Sequence, residues 1–217
     1  MGKLNLGILG GFSGTVGTVV GSTNKKGDDI IRAKSKKRRT SNTEGQVSQR
    51  TKFGLVTSFM QGISPVLKTS LKQLADAQNM SVYNYACRHA LKNAIVGTEA
   101  QPELDYSKII ISDGSLSRIS GASAIKEGDN IKFSWSETVG NSIGKLGDNV
   151  ALLVYNVTNG EISYSLGELL RSEKTATLPI PYSETGDQLL FYLFFQSATD
   201  PTLVSTSQYL GTVNVSE

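Results

Sequence analysis

The chain of 217 residues is long enough for one large domain or two smaller ones, and its 38% hydrophobic and 19% charged residues exclude an intrinsically disordered protein. The single cysteine, Cys87, excludes an intrachain disulfide, and no run approaches the roughly 20 apolar residues of a membrane-spanning helix. The net charge of +3 hides a division: residues 1–72 carry thirteen Lys and Arg against three acids, and residues 73–217 carry nine against sixteen. Such a front calls for an acidic or phosphate-bearing partner, or for the acidic back of a neighbouring copy.

The head, "GILGGFSGTVGTVVGSTNKKGDDIIRAKSKKRRT" (7–40), has seven glycines before Asp28 and ends in positive charge. Its apolar stretch 4–12 is short and carries three glycines, so it does not read as a secretory signal. Synthesis is therefore expected in the cytoplasm, giving a soluble or assembled protein, with the virion as one destination. "GTVGTVVGST" (14–23), the turn "NKKG" (24–27) and "DDIIRAK" (28–34) predict a β-hairpin. Gly10, Gly11, Gly14, Gly17 and Gly21 strip bulk from it and let another backbone approach, which marks them as residues of an assembly arm. A lone hairpin is marginal in water, so this one needs the rest of the chain or another subunit to lean on. The run "KSKKRR" (34–39) makes Lys34, Lys36, Lys37, Arg38 and Arg39 candidates for contact with nucleic acid or an acidic partner; a solvated loop is the alternative. No aromatics are interleaved for base stacking, and no helix-turn-helix, zinc-finger or RNA-recognition signature accompanies the run.

After Thr40 the period changes. Ser41 with Glu44 forms a capping pattern, and Val47, Phe53, Val56, Phe59, Met60 and Ile63 recur at helical intervals. Helices are predicted over 43–62, then over a shorter span to 75 after a break near Pro65, and over 81–96. In the last, Tyr83, Ala86, Cys87, Ala90, Leu91, Ala94 and Ile95 form one apolar stripe, and Gly97 supplies a stop.

From Asp105 onward the signals are those of strands: 106–112, 131–137, 149–157, 161–166, 175–182, 188–197 and 205–215, with turns at Asp113-Gly114 and Asn159-Gly160. This spacing and the inward Trp135 predict a two-sheet antiparallel sandwich. In order, Trp135, Tyr155, the Leu-Pro before Tyr182 and the apolar strand 191–195 resemble a fibronectin type III or immunoglobulin-like domain. The expected fold is α+β in three parts: a basic arm 1–40, a helical block 41–100 and a β-sandwich 101–217.

"GILGGFSGTVGTVVGS" (7–22), "QRTKFGLVTSF" (49–59), "NAIVG" (93–97), "LDYSKIIIS" (104–112) and "SQYLGTVNV" (207–215) resemble an uncharacterised domain-of-unknown-function family of similar length from Bacteroidota. The resemblance spans essentially the whole chain. Members usually carry Trp-Lys-Gly-Ile at the hairpin, where this chain has "NKKGDDI" (24–30). It implies a bacterial or bacteriophage source in that phylum and the same head, helices and sandwich order, and it brings no catalytic residues with it.

Chemistry is sparse. Cys87 and His89 sit two positions apart on a predicted helix, which turns them away from each other and disfavours both a nucleophilic pair and a zinc site. Asp113, Asp129, Asp148 and Asp187 lie in turns, where Asx chemistry accounts for them. "GGFSGTVG" (10–17) lacks the lysine of a phosphate-binding loop. The expectation is a non-enzymatic structural or assembly protein without cofactor, such as a phage capsid or tail accessory, that docks by its arm on protein partners, self-assembly included. A nucleic-acid binder using the basic run is one alternative; a carbohydrate-binding module using Tyr164, Tyr182 and Tyr209 is another.

Overall fold

The computed structural model describes residues 3–4, 10–24, 27–35, 43–136 and 144–215. They fall into two units, Met1–Asn42 and Thr43–Glu217. The architecture is α+β: an N-terminal hairpin sheet, four helices, and C-terminal antiparallel strands.

The first unit is one antiparallel sheet, β1 (Lys3–Leu4), β2 (Phe12–Val16), β3 (Val19–Thr23) and β4 (Asp29–Ala33), in that spatial order. The expected first strand, 14–23, is folded in half at Gly17-Thr18. Val16 pairs with Val19 across those two residues, and Gly17 has φ 55. A glycine with positive φ at the first place of a two-residue loop matches the right-handed twist of a hairpin, so "TVGTVV" is two strands and a turn. The second turn follows the expected chemistry: Asp28 N–H donates to Asn24 Oδ1 at 2.9 Å, and Gly27 has φ 89.

The second unit opens with α1 (Glu44–Gly62), α2 (Ser64–Ser70), α3 (Lys72–Ala77) and α4 (Val82–Asn93). Pro65 breaks nothing. It lies in the first turn of α2, where its missing N–H has no partner to lose, and the breaks fall at buried Ile63 and Leu71 instead. The expected cap Ser41 lies outside the described residues; the N-cap is Thr43, whose side chain makes no capping bond. Helix α4 is capped by Ser81, which accepts from Asn84 N–H. It stops at Asn93 rather than Val96, because Ile95–Gly97 forms β5, a short strand paired with β6 (Pro102–Leu104). Gly97, at φ 84, serves that hairpin rather than ending a helix.

Seven strands follow, as expected in number but not in membership. β7 (Ser123–Glu127), β8 (Asn130–Ser134) and β11 (Thr175–Pro179) make a three-stranded sheet in the order β11-β8-β7. β9 (Asn149–Asn156), β10 (Ile162–Leu170), β12 (Gln188–Gln196) and β13 (Gln208–Asn214) make a four-stranded sheet in the order β10-β9-β12-β13. Residues 106–112, expected as a strand, are a 3-10 turn (Tyr106–Lys108) followed by extended chain outside any ladder.

Alternation along β9 and β12 sets the layers. Ala151, Leu153, Tyr155, Leu190, Tyr192 and Phe194 pack with Val56, Phe59, Met60 and Leu67 of the helices. Val150, Leu152, Val154, Leu189, Phe191, Leu193 and Phe195 pack with Ile131, Phe133 and Leu178 of the second sheet. One sheet thus has a core on each face, which is why its central strands read as continuous apolar runs. Trp135 is buried between the sheets, and its Nε1–H donates to the Arg171 carbonyl at 2.9 Å.

Candidate interaction surface

The N-terminal sheet has two unlike faces. Residues opposite each other across its ladders share a face, and the pairings Val16↔Val19↔Ala33 and Gly14↔Gly21↔Ile31 put Val16, Val19, Ile31 and Ala33 together, with Phe12 on the same side and the pair Thr23↔Asp29 at one end of it. The opposite face carries Ser13, Thr15, Ser22 and Arg32 beside Val20 and Ile30. On the apolar face Val16 is 52% and Ile31 64% exposed. Among the described residues of this unit only Gly21 is buried, and every residue of β4 is exposed. Among its described residues this single sheet layer buries no side chain and leaves its apolar side open.

The glycines build the sheet rather than line its surface. A Cβ on Gly21 would strike the carbonyl oxygen of Phe12 and sit 2.8 Å from its ring, so the ring lies directly over that backbone. A Cβ on Gly11 would strike the carboxylate of Asp29, which accepts from Thr23 Oγ1 at 2.8 Å. Gly17 makes the turn, while Gly10 and Gly14 are half-buried. Of the basic run, Lys34 is exposed and its backbone N–H donates to Thr18 at 2.7 Å; Lys36, Lys37, Arg38 and Arg39 lie outside the described residues. The apolar face was missed by sequence reasoning because treating 14–23 as one strand puts its alternation out of phase. Placing the turn at Gly17-Thr18 restores it.

The three tyrosines weighed for carbohydrate do not make one platform. Tyr164 pairs with Leu153, Leu153 with Tyr192 and Tyr192 with Tyr209, so Tyr164 and Tyr209 stand on opposite edges of the sheet. Tyr209 packs on Tyr192 with ring centroids 5.4 Å apart. Tyr182 is 71% exposed, and its hydroxyl donates to Glu184 at 3.0 Å.

Elsewhere in the second unit most candidate polar groups are engaged, while buried His89 Nδ1 has no hydrogen-bond partner among the described residues. Cys87 is buried in the helix core, where burial pushes its thiol pKa up and a bond with Tyr83 partly offsets the rise. His89 sits beside Asn93, with Nε2 3.0 Å from the amide nitrogen, and desolvation holds its pKa below the ordinary value. The two do not meet. Among the described residues no group of three or more His, Cys, Asp and Glu is placed to hold a metal ion. A half-open cavity of about 470 Å³ is lined by Lys68, Lys72, Asp76, Asp113 and Thr202. Asp113 there accepts from Thr206 Oγ1 at 2.8 Å, Ser70 Oγ donates to backbone carbonyls of Val66 and Ile111, and Thr202 Oγ1 donates to Asp200 at 2.6 Å. Of the other turn aspartates, Asp187 is buried, accepts from Asn156 Nδ2 at 2.8 Å and Glu184 N–H at 3.0 Å, and these bonds depress its pKa.

Among the described residues no helix is long and apolar enough to cross a membrane. A family model matches residues 11–211; its description is "Family of unknown function (DUF6266)". No curated protein and no solved structure matches the chain.

Proposed function

We propose, for a chain that belongs to DUF6266, a family of unknown function, a non-enzymatic structural or assembly role in which the N-terminal sheet docks on a protein partner and the helix-and-sandwich body is the block it carries. One observation bears most of the weight: the arm exposes Val16 and Ile31 on one face and buries no side chain among its described residues. Burial of apolar area is worth about 25 cal/mol per Å², so a sheet that forgoes it gains its order from an outside surface. A phage capsid or tail accessory is the setting in which such an arm and block work together. Hydrogen exchange read by mass spectrometry, on the full chain diluted to monomer, tests the reading. Backbone amides of 12–33 should exchange nearly as fast as in an unfolded chain while those of β9 and β12 stay protected; a protected arm in the monomer overturns it.

A second reading, nucleic-acid contact, draws on the five cations in six residues at 34–39. Gel shifts at two salt concentrations separate it, since phosphate contacts lose affinity steeply as salt rises.

A further inference from the structure

We infer that the surface covering the arm's apolar face is the body of a second copy of this chain, so that copies join head to tail; this rests on the docking role proposed above. Charge selects the partner. Residues 1–42 carry nine Lys and Arg against two acids, a net of +7, whereas residues 43–217 carry thirteen against seventeen, a net of −4. An arm laid on another arm would join two units that each carry a net +7. An arm laid on a body brings opposite charges together.

The apolar face argues against nucleic acid as the main occupant, because a phosphate backbone offers nothing to bury Phe12, Val16 and Ile31. The body offers both requirements. At one end of the sandwich the β7–β8 turn, the β9–β10 turn and the β11–β12 connection meet, as shown by Ile180 N–H donating to Asp129 and Asn159 Nδ2 to the Tyr182 carbonyl. That end carries Asp129, Glu161 and Glu184 beside the exposed Tyr182. Among the described residues β4 is an edge strand of the arm's sheet. Where each arm docks on the next copy and the contact is not returned, the copies join into rings or open chains rather than closed pairs.

Light scattering on the full chain, over a range of concentration and at two salt strengths, reads the outcome. Wild type should exceed the mass of a dimer at low salt and fall toward monomer at high salt. Ile31→Asp, and independently Val16→Asp two strands away on the same face, should be monomeric with an unchanged circular dichroism spectrum. Labelled Ile31→Asp should still enter wild-type assemblies and shorten them, because its body remains a docking surface. A closed wild-type dimer that excludes Ile31→Asp overturns head-to-tail joining. Wild type monomeric under all conditions overturns self-association: with the arm amides exchanging freely the docking role survives on another partner, nucleic acid if duplex DNA then retains the chain, and with them protected both fall.

Discussion

Arg171 is 2% exposed, and its guanidinium stands 4.6 Å over the ring of Phe195. Its Nη1 lies 3.8 Å from Asp148 Oδ2, too far for a hydrogen bond, and has no hydrogen-bond partner among the described residues. Two charges withdrawn from water and held at that distance recover little of their desolvation cost. Arg171→Met, which strands the buried Asp148 carboxylate, and Asp148→Asn, which strands the cation, should therefore each cost about 3–5 kcal/mol, whereas replacing both together should be close to neutral. Urea unfolding of the two single variants and the double variant checks both, and the double should recover most of the loss. Asp187 behaves in the opposite sense. Its native bonds depress the carboxyl pKa below the ordinary 3.8, so their contribution is fully present above that value and is lost as pH falls through the native one. The melting temperature of Asp187→Asn should lie below wild type at pH 7, and the gap should shrink only as pH falls below 3.8 and through the lower native value.

The segment Ile109–Ser112 shows how a strand-like sequence is used without a ladder. "KIIIS" has the β-branched residues of a strand, yet serines satisfy its backbone. Ile111 N–H donates to Ser207 Oγ at 3.1 Å, Ser70 Oγ donates to Ile111 O, and Ser112 Oγ donates to Ser205 O at 2.7 Å. Ser207→Ala should leave a buried N–H unpartnered at a cost of about 1–3 kcal/mol, read from the shift of the urea midpoint at constant slope. Ser207→Thr, which keeps an acceptor, should lose less. Those serines are scattered over 70–207, so no local window of sequence could reveal them. What was legible was local: the period of α1 and α4, the Asn159-Gly160 turn, the inward Trp135, and the apolar run of β12. The strand β7 escaped notice because it is an edge strand whose burial alternates only weakly, with Ile125 exposed. The arm's apolar face was written in the sequence too, in a phase set by one glycine at φ 55.

At the scale of the molecule, the expected boundary between helices and sandwich falls inside a layered body. The four-stranded sheet buries Leu153, Tyr192 and Phe194 against helices on one side and Leu152, Phe191 and Phe195 against the second sheet on the other. Neither flanking layer can leave without exposing a full apolar face. The arm is a separate unit whose described residues bury no side chain. These facts order three chains by stability. The fragment 43–217 should melt cooperatively at the temperature of the full chain measured as monomer, because it keeps both cores. The fragment 101–217 keeps the sandwich interior but uncovers Leu153, Tyr155, Leu190, Tyr192 and Phe194, an apolar stripe running the length of two central strands. It should aggregate or bind a hydrophobic dye such as ANS, and should show no melting transition of its own. A monomeric, cooperatively melting 101–217 would show that the helices are an addition to a self-sufficient sandwich; loss of the transition in 43–217 would show that the arm stabilises its own copy, and with it the case for docking on a second one would fail.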